Sequence, residues 1–241
     1  HAPSAQDRGL ATELVMGVVR RRLTLARLLG AFTSRGWQRI NHRLQQILML
    51  GAYQLLWLDG IPSFAAVDEA VEQARGEGGA RAGHFVNAVL RSLLRDIENP
   101  RLPIEQADPR RAVLIDLQTA CQIRRAFLPD PRENPCGYWG DATSHPAWLV
   151  ARWRDAYGLD AAAAICRAGT CRPPVFVRPN ALRIDAPGLR QRLDEEGITS
   201  EYLSEGSGLV LLAGPSFLQT RAFEQGLFQP QDRTAMQVLA R

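Results

Sequence analysis

The sequences IPSFAAVDEAVEQAR, Ile61 to Arg75, and HFVNAVLRSLLR, His84 to Arg95, decide the fold of the first part of this chain. In both segments apolar residues recur every three or four positions, which is the spacing of one face of an α-helix. The two apolar faces consist of Phe64, Val67, Val71 and Ala74, and of Val86, Val89, Leu90, Leu93 and Leu94. The pattern predicts two helices joined by a glycine-rich loop.

Two more helices are predicted before this pair. The segment from Ile40 to Leu58 is apolar nearly all round, which is typical of a helix buried in a core. The segment from Leu10 to Phe32 fits one long amphipathic helix, interrupted by RRR at residues 20–22. At about 100° per residue, the first arginine lies opposite the apolar face and the other two flank it. We expect a compact, exposed group of three guanidinium groups, which is either an RNA contact or plain solvated surface.

The charge of the chain is unevenly distributed. All 29 basic residues are arginine, and the net charge is +4. Through Arg43 there are eight arginines and two acidic residues, whereas from Leu44 to Pro100 there are four arginines and seven acidic residues. A basic first segment suits a polyanionic partner, and the planar arginine fork suits phosphate.

Composition and spacing exclude several classes of protein. With 46% apolar and 22% charged residues the chain is globular rather than disordered. Its longest apolar run, Ile47 to Leu58, is too short to cross a bilayer core of about 30 Å, so no membrane contact is expected. The four cysteines lack paired metal-ligand spacing, so we predict reduced thiols, no metal and a cytoplasmic location.

The second half of the chain changes character. Residues 99–143 are rich in proline and are predicted to be an inter-domain linker, with one helix around Arg111 to Phe127. A helix from Ser144 to Gly158 follows, and its aromatic face is expected to be core. Strands are then predicted at 175–180, 208–213 and 222–228, with a helix at 189–196. The fold class is therefore predicted to be α+β and multidomain, an all-α bundle followed by a small ferredoxin-like domain.

The order of these segments resembles the RsmB (Sun) family of bacterial rRNA cytosine-C5 methyltransferases. The matching segments are GVVRRRLTLARLL (17–29), LGAYQLLWLDGIP (50–62), AVDEAVEQAR (66–75), FVNAVLR (85–91), HPAWLVARW (145–153), VRPN (177–180) and FQPQD (228–232). In that family a NusB-like RNA-binding domain precedes a small α+β domain and a Rossmann-like catalytic domain.

The resemblance implies a division of the chain and a set of partners. It implies a NusB-like domain at 1–98, the linker at 99–143, an α+β RNA-positioning domain at 144–228 and the start of a methyltransferase domain at 229–241. The parent enzyme would use S-adenosylmethionine, bound outside this chain, to methylate rRNA of the small ribosomal subunit. The chain is expected to be monomeric. The RNA-binding candidates are Arg20, Arg21, Arg22, Arg178 and Asn180, and a structural ion pair is the alternative role of Arg178.

This chain is expected to be inactive alone, with no catalytic residue of its own. The family's cofactor turn, A-P-G-G-K, is absent from the sequence, and only nine residues follow Asp232. We therefore expect a piece of a longer product or a partial gene model. The pairs Pro135-Cys136 and Thr170-Cys171 imitate the two cysteines that such enzymes use, yet no cofactor-binding strand precedes them. We interpret both cysteines as bystanders.

Two other classes of function stay open. A non-enzymatic NusB-like factor in transcription antitermination would need only the first domain, and the α+β segment after residue 144 argues against it. A protein-interaction scaffold would use the helical bundle as a docking surface. Salt-sensitive RNA binding separates both RNA-binding interpretations from the scaffold.

Overall fold

The computed structural model describes residues 4–34, 36–204, 206, 208–214 and 216–239. The chain divides into two compact units, His1–Cys171 and Arg172–Arg241. Within the described residues, no helix has the length and hydropathy that crossing a membrane requires. Each unit has its own hydrophobic core.

Helices dominate the beginning of the first unit. They are α1 (Ala5–Arg20), α2 (Arg22–Gly30), α3 (His42–Trp57) and α4 (Ser63–Asp96). Helix α1 begins with a capping box, in which Ser4 and Asp7 satisfy each other's backbone N–H groups. Helix α3 has a simpler cap, in which the side chain of Asn41 accepts a hydrogen bond from the backbone N–H of Arg43. Leucines of α2, α3 and α4 are fully buried together and form the centre of the core.

The predicted pair of helices is confirmed inside α4. Gly78 and Gly79 have non-helical backbone angles, and Gly79 has a φ of 69°, which a residue with a side chain rarely adopts. The interruption is shorter than the loop that the sequence predicts, because helical structure extends through most of the glycine-rich segment. The apolar face around Val67 and Val71 and the face around Val86 and Leu90 are both buried in the same core.

The prediction of one helix from Leu10 to Phe32 is wrong. The chain leaves the helical conformation at Arg21, which has φ −107° and ψ 11°, and α2 starts at the next residue. An angular count of 100° per residue holds only within one helix, so it misplaces side chains beyond the break. Leu25, Leu28 and Leu29 are nonetheless fully buried, as the apolar spacing predicts.

Residues 99–143 form folded structure, so the prediction of a linker there is wrong. Strands β1 (Ile97–Pro103), β2 (Ala112–Leu114) and β3 (Thr119–Ile123) form an antiparallel sheet in the order β1-β3-β2. The two prolines of β1 lie on an edge strand, where the missing N–H groups are tolerated. The helix expected over 111–127 is not formed, and the β2–β3 hairpin lies there instead. Asp116 stabilises the turn of this hairpin by accepting hydrogen bonds from the backbone N–H groups of Gln118 and Thr119.

Three helices complete the first unit: α5 (Pro135–Thr143), α6 (Ala147–Tyr157) and α7 (Leu159–Gly169). Side chains from the sheet and from α5, including Ile123 and Tyr138, join the core of α1 to α4. The expected aromatic core face of α6 is wrong in part. Trp148 and Tyr157 are 67% and 65% exposed, because the buried face of α6 is centred on Val150.

The second unit is a small α+β domain. Its elements are β4 (Val175–Pro179), α8 (Ala186–Glu195), β5 (Thr199–Tyr202), β6 (Leu209–Ala213), α9 (Arg221–Glu224), β7 (Phe228–Pro230) and α10 (Arg233–Leu239). The strands form an antiparallel sheet in the order β5-β6-β4-β7. The expected strand at 222–228 is mostly the short helix α9, and β7 begins at Phe228. The predicted fold class, helices followed by an α+β domain, is confirmed.

Two glycines of α1 provide a test of core packing. A Cβ atom at Gly17 would overlap the ring of Tyr53, whose hydroxyl donates to Glu13, whereas a Cβ at Gly9 meets nothing within 4 Å. We expect Gly17→Ala to lower the free energy of unfolding by about 1–3 kcal/mol through overpacking. Gly9→Ala should raise it by up to about 1 kcal/mol through helix propensity. Urea unfolding measures both, and equal effects would contradict the close approach of α1 to α3.

Candidate nucleic-acid interface

Arg178 lies on β4, where its backbone pairs with Gln229 of β7. The two strands border an open concavity of about 750 Å³. Its lining includes Arg178, Asn180, Asp185, Gly206, Gly226 and Gln229. Within the described part of the chain, no residue forms an ion pair or hydrogen bond with the Arg178 guanidinium, so the structural ion pair considered as its alternative role is not found there. A half-buried arginine on a rigid strand is therefore available to an anion.

Asn180 forms the rim of this concavity through its own hydrogen bonds. Its Nδ2 donates to the carbonyl of Gly226 over 3.0 Å, and its Oδ1 accepts from the backbone N–H of Leu182 over 3.2 Å. Its backbone N–H donates to the carbonyl of Leu227 over 2.8 Å. The side chain thus holds the turn after β4 against the α9–β7 connection. The contacts indicate that Asn180 positions the rim, and its predicted RNA contact stays a prediction.

Other polar groups around the concavity also have structural partners. The carboxylate of Asp185 accepts from the backbone N–H of Gly188 and caps α8. The guanidinium of Arg183 donates to the carbonyl of Gln225. Gly226 has a φ of 65° and turns the chain into β7 without a side chain. The sequence did not single out Asp185, Gly226 or Gln229, because only the strand register brings them beside Arg178.

Arg21 lies in the core of the first unit, which corrects the expected exposed group of three arginines. The residue is 4% exposed. Its Nη2 donates to the carbonyls of Ile115 and Thr170 over 3.1 and 3.2 Å, and its guanidinium carbon lies 5.2 Å from the centroid of the Trp57 ring. Burial lowers the pKa of Arg21 to about 10. The helix break at this residue turns the side chain inward, away from any RNA at the surface.

The two neighbouring arginines have different environments. Arg22 is exposed at the start of α2, and Arg20 is half-buried at the end of α1. No compact surface group of three guanidinium groups exists, because the middle one is buried. Contacts of Arg20 and Arg22 with RNA stay predictions.

The cysteines are free thiols in four separate settings. Cys136 lies in the first turn of α5, and Nη1 of Arg154 is 3.4 Å from its sulfur, a basic and helix-terminal setting that the sequence did not reveal. Cys171 follows α7, and its thiol donates to the carbonyl of Arg167 over 3.7 Å. Burial raises the pKa of Cys121 to about 11 and also raises that of Cys166. Their interpretation as bystanders stays a prediction.

The described residues do not fit a site for S-adenosylmethionine. Such a cofactor binds at the carboxyl ends of parallel strands beside a glycine-bearing turn. Both sheets in the described part of the chain are antiparallel at every pairing. In that same part of the chain, no three His, Cys, Asp or Glu side chains are grouped as a metal ion would require.

Comparison with known proteins identifies two families in sequence order. Residues 1–95 match the NusB family, and residues 145–217 match the ferredoxin-like domain of RsmF/B-like methyltransferases. The second match begins close to the boundary predicted at residue 144, although α6 and α7 lie in the first compact unit.

Curated relatives match over nearly the whole chain. It is 33% identical over 237 residues to a probable ribosomal RNA small subunit methyltransferase B of Bacillus subtilis, which covers 98% of this chain and 46% of that protein. It is 30% identical to the ribosomal RNA small subunit methyltransferase B of Pasteurella multocida, covering 98% and 45%. The chain therefore spans about half the length of these relatives.

One solved structure supports the fold. The crystal structure of PH0851 aligns with a TM-score of 0.61 at 14% identity, covering 96% of this chain and 46% of that one. At this level of identity the likeness concerns the fold alone.

The contacts of Asn180 and Arg178 predict that substitution of the first lowers stability and substitution of the second leaves it nearly unchanged. Asn180→Ala removes two hydrogen bonds of the turn and should lower the free energy of unfolding by about 1–2 kcal/mol. Arg178→Gln removes no described contact and should change it by less than about 0.5 kcal/mol. Chemical unfolding of the full chain, followed by fluorescence, measures both. If Asn180→Ala is as stable as the parent chain, the rim does not depend on its amide.

Proposed function

This chain is a NusB domain followed by an RsmF/B-type ferredoxin-like domain, as in the N-terminal part of ribosomal RNA small subunit methyltransferase B, and we propose that it binds ribosomal RNA and positions it for that enzyme. The relatives named above act on small-subunit rRNA, and the same RNA is the partner proposed here. In the full-length parent the reaction would be transfer of a methyl group from S-adenosylmethionine to C5 of a cytosine.

The observation that carries the proposal is the guanidinium of Arg178 at the concavity of the second unit, which has no ion-pair or hydrogen-bond partner among the described residues. The planar guanidinium of arginine can form two hydrogen bonds with one phosphate. Arg178 lies on β4, and this strand is fixed in place by its pairing with β6 on one side and β7 on the other. Contacts of this type fix the register of an RNA without reading its sequence. The role of this chain is thus affinity and orientation rather than bond making.

The proposal also includes the domain division, the oligomeric state, the location and the cofactor that the sequence predicts. We propose the division into residues 1–98 and 144–228 as RNA-binding and RNA-positioning domains, a monomeric chain and a cytoplasmic location. The cofactor belongs to a part of the parent enzyme outside the folded elements described above. Cys136 and Cys171 take no part in the methyl transfer in this proposal.

The runner-up is a non-enzymatic NusB-like RNA-binding factor in transcription antitermination, and the match of residues 1–95 to the NusB family favours it. The α+β unit argues for the methyltransferase context, because the second family match includes β4, α8, β5 and β6 of that unit. Both functions include RNA binding. They differ in whether the second unit takes part in it, and Arg178, which lies in that unit, tests this.

The first test of the proposal is the salt dependence of RNA binding. Arg178→Gln should flatten the slope of log affinity against log salt by about 0.7–0.9 if the guanidinium neutralises one phosphate. Arg192→Gln is the matched control, since it removes one exposed charge of the same unit whose partner is Glu195. Fluorescence anisotropy with a labelled small-subunit rRNA hairpin measures the slopes. Identical slopes for both variants would refute the role of Arg178.

The second test concerns the cofactor. Isothermal calorimetry of this chain with S-adenosylmethionine is expected to give no heat above dilution, because the antiparallel sheets offer no cleft for it. Incubation with tritiated cofactor and rRNA should leave the RNA unlabelled. A saturable heat or transferred label would contradict the assignment of this chain to binding and positioning alone.

A further inference from the structure

The second half of α4 is positively charged, although residues 44–100 as a whole have a net negative charge. From Gly79 to Arg95 the chain has three arginines, Arg81, Arg91 and Arg95, and no acidic residue. Only the last two of these belong to the surface described below. The acidic residues that make residues 44–100 negative overall lie elsewhere in that segment. Arg91 and Arg95 are both exposed and are one helical turn apart, about 6 Å along the axis.

A third guanidinium group lies at the end of this helix. Nη1 of Arg124, the residue after β3, donates to the backbone carbonyl of Arg95 over 2.9 Å. That carbonyl belongs to the last turn of α4, where the negative end of the helix dipole stabilises a nearby cation. Arg124 is exposed as well. Arg91, Arg95 and Arg124 together are here named the Arg91 cluster.

No described acidic side chain forms an ion pair with the Arg91 cluster. Nε of Arg91 donates to Oδ1 of Asn87 over 2.7 Å, which is a neutral amide. The nearby acidic residues bind other arginines: Asp96 pairs with Arg125, and Glu98 and Asp108 pair with Arg111. The cluster therefore presents uncompensated positive charge at the surface of the first unit.

The surroundings favour a polyanion over a lipid or protein surface. In residues 65–116 and 118–147, which contain all three arginines of the cluster and which the structure describes throughout, no large apolar side chain is exposed. Insertion into a membrane surface needs apolar side chains beside the basic ones, and protein interfaces centre on buried aromatic or apolar anchors. A surface of guanidinium groups that have no described acidic partner, and that has no such apolar side chains, fits the phosphates of a nucleic acid.

We propose that the Arg91 cluster is a second RNA contact, which binds backbone phosphates independently of base sequence. This proposal rests on the RNA-binding function proposed above and names a surface for it in the helical unit. Residues 20–22 are the group of arginines expected to contact RNA in this unit, but Arg21 is buried. We assign that role to the cluster instead. Arg91 and Arg95 reach neighbouring phosphates from successive turns of one helix, and Arg124 adds a third contact at its end.

The test compares two triple variants of the full chain with equal changes of charge. Arg91→Gln, Arg95→Gln and Arg124→Gln together remove the three charges of the cluster and leave a polar side chain at each position. Arg43→Gln, Arg75→Gln and Arg101→Gln are the control, since these arginines of the same unit pair with Glu77, Glu72 and Asp59. Thermal melting first establishes that both variants are folded.

Binding of a labelled small-subunit rRNA hairpin is then measured by anisotropy between 50 and 200 mM salt, in the range where phosphate contacts dominate. The cluster variant should flatten the slope of log affinity against log salt by about 2–2.7, and the control by less than about 1. Equal slopes for the two variants, with salt-dependent binding by the parent chain, would overturn the cluster but leave RNA binding intact. Absence of binding by the parent chain would refute the proposed function itself, and selective loss of binding to an acidic polypeptide would assign the cluster to a protein.

Discussion

A single buried guanidinium group joins three parts of the first unit. Arg21 lies between α1 and α2. Its Nη2 donates hydrogen bonds to the carbonyl of Ile115 in the β2–β3 turn and to the carbonyl of Thr170 after α7. Trp57 of α3 covers one face of the group. Burying a charge costs several kcal/mol unless carbonyls and aromatic faces replace its water. The sheet that follows α4 and the last helices of the unit therefore depend on one residue of the first helical segment.

The sequence predicts the elements whose apolar spacing is regular and local. The helices around Val67 and Val86 and the strand at Val177 follow from periodicity alone, because each buries one side against a core. The β1–β3 sheet escapes the same reasoning. Its first strand contains Pro100 and Pro103, which usually indicate a loop, and only the pairing with β3 shows that they occupy an edge.

The candidate sites show a similar limit. The VRPN segment marks Arg178 correctly as a residue on a strand, yet Asn180 in the same segment is engaged in holding a turn. The direction of Arg21 depends on a helix break that no local pattern signals. In a chain whose 29 basic residues are all arginine, the residue type carries little information, and the partner of each guanidinium carries much more. Arg125 is stacked on Phe32 and paired with Asp96, whereas the side chain of Arg95 is exposed and has no ion pair among the described residues.

The edges of the three-stranded sheet have a consequence for the behaviour of the protein in concentrated solution. A bare edge offers a row of N–H and C=O groups on which a strand of another molecule can add. Strand β1 lacks two of these N–H groups because of its prolines, and β2, at the opposite edge, has only three residues. Neither edge can act as a template of useful length. The inserted sheet thus adds β-structure to a helical unit without adding a route to aggregation.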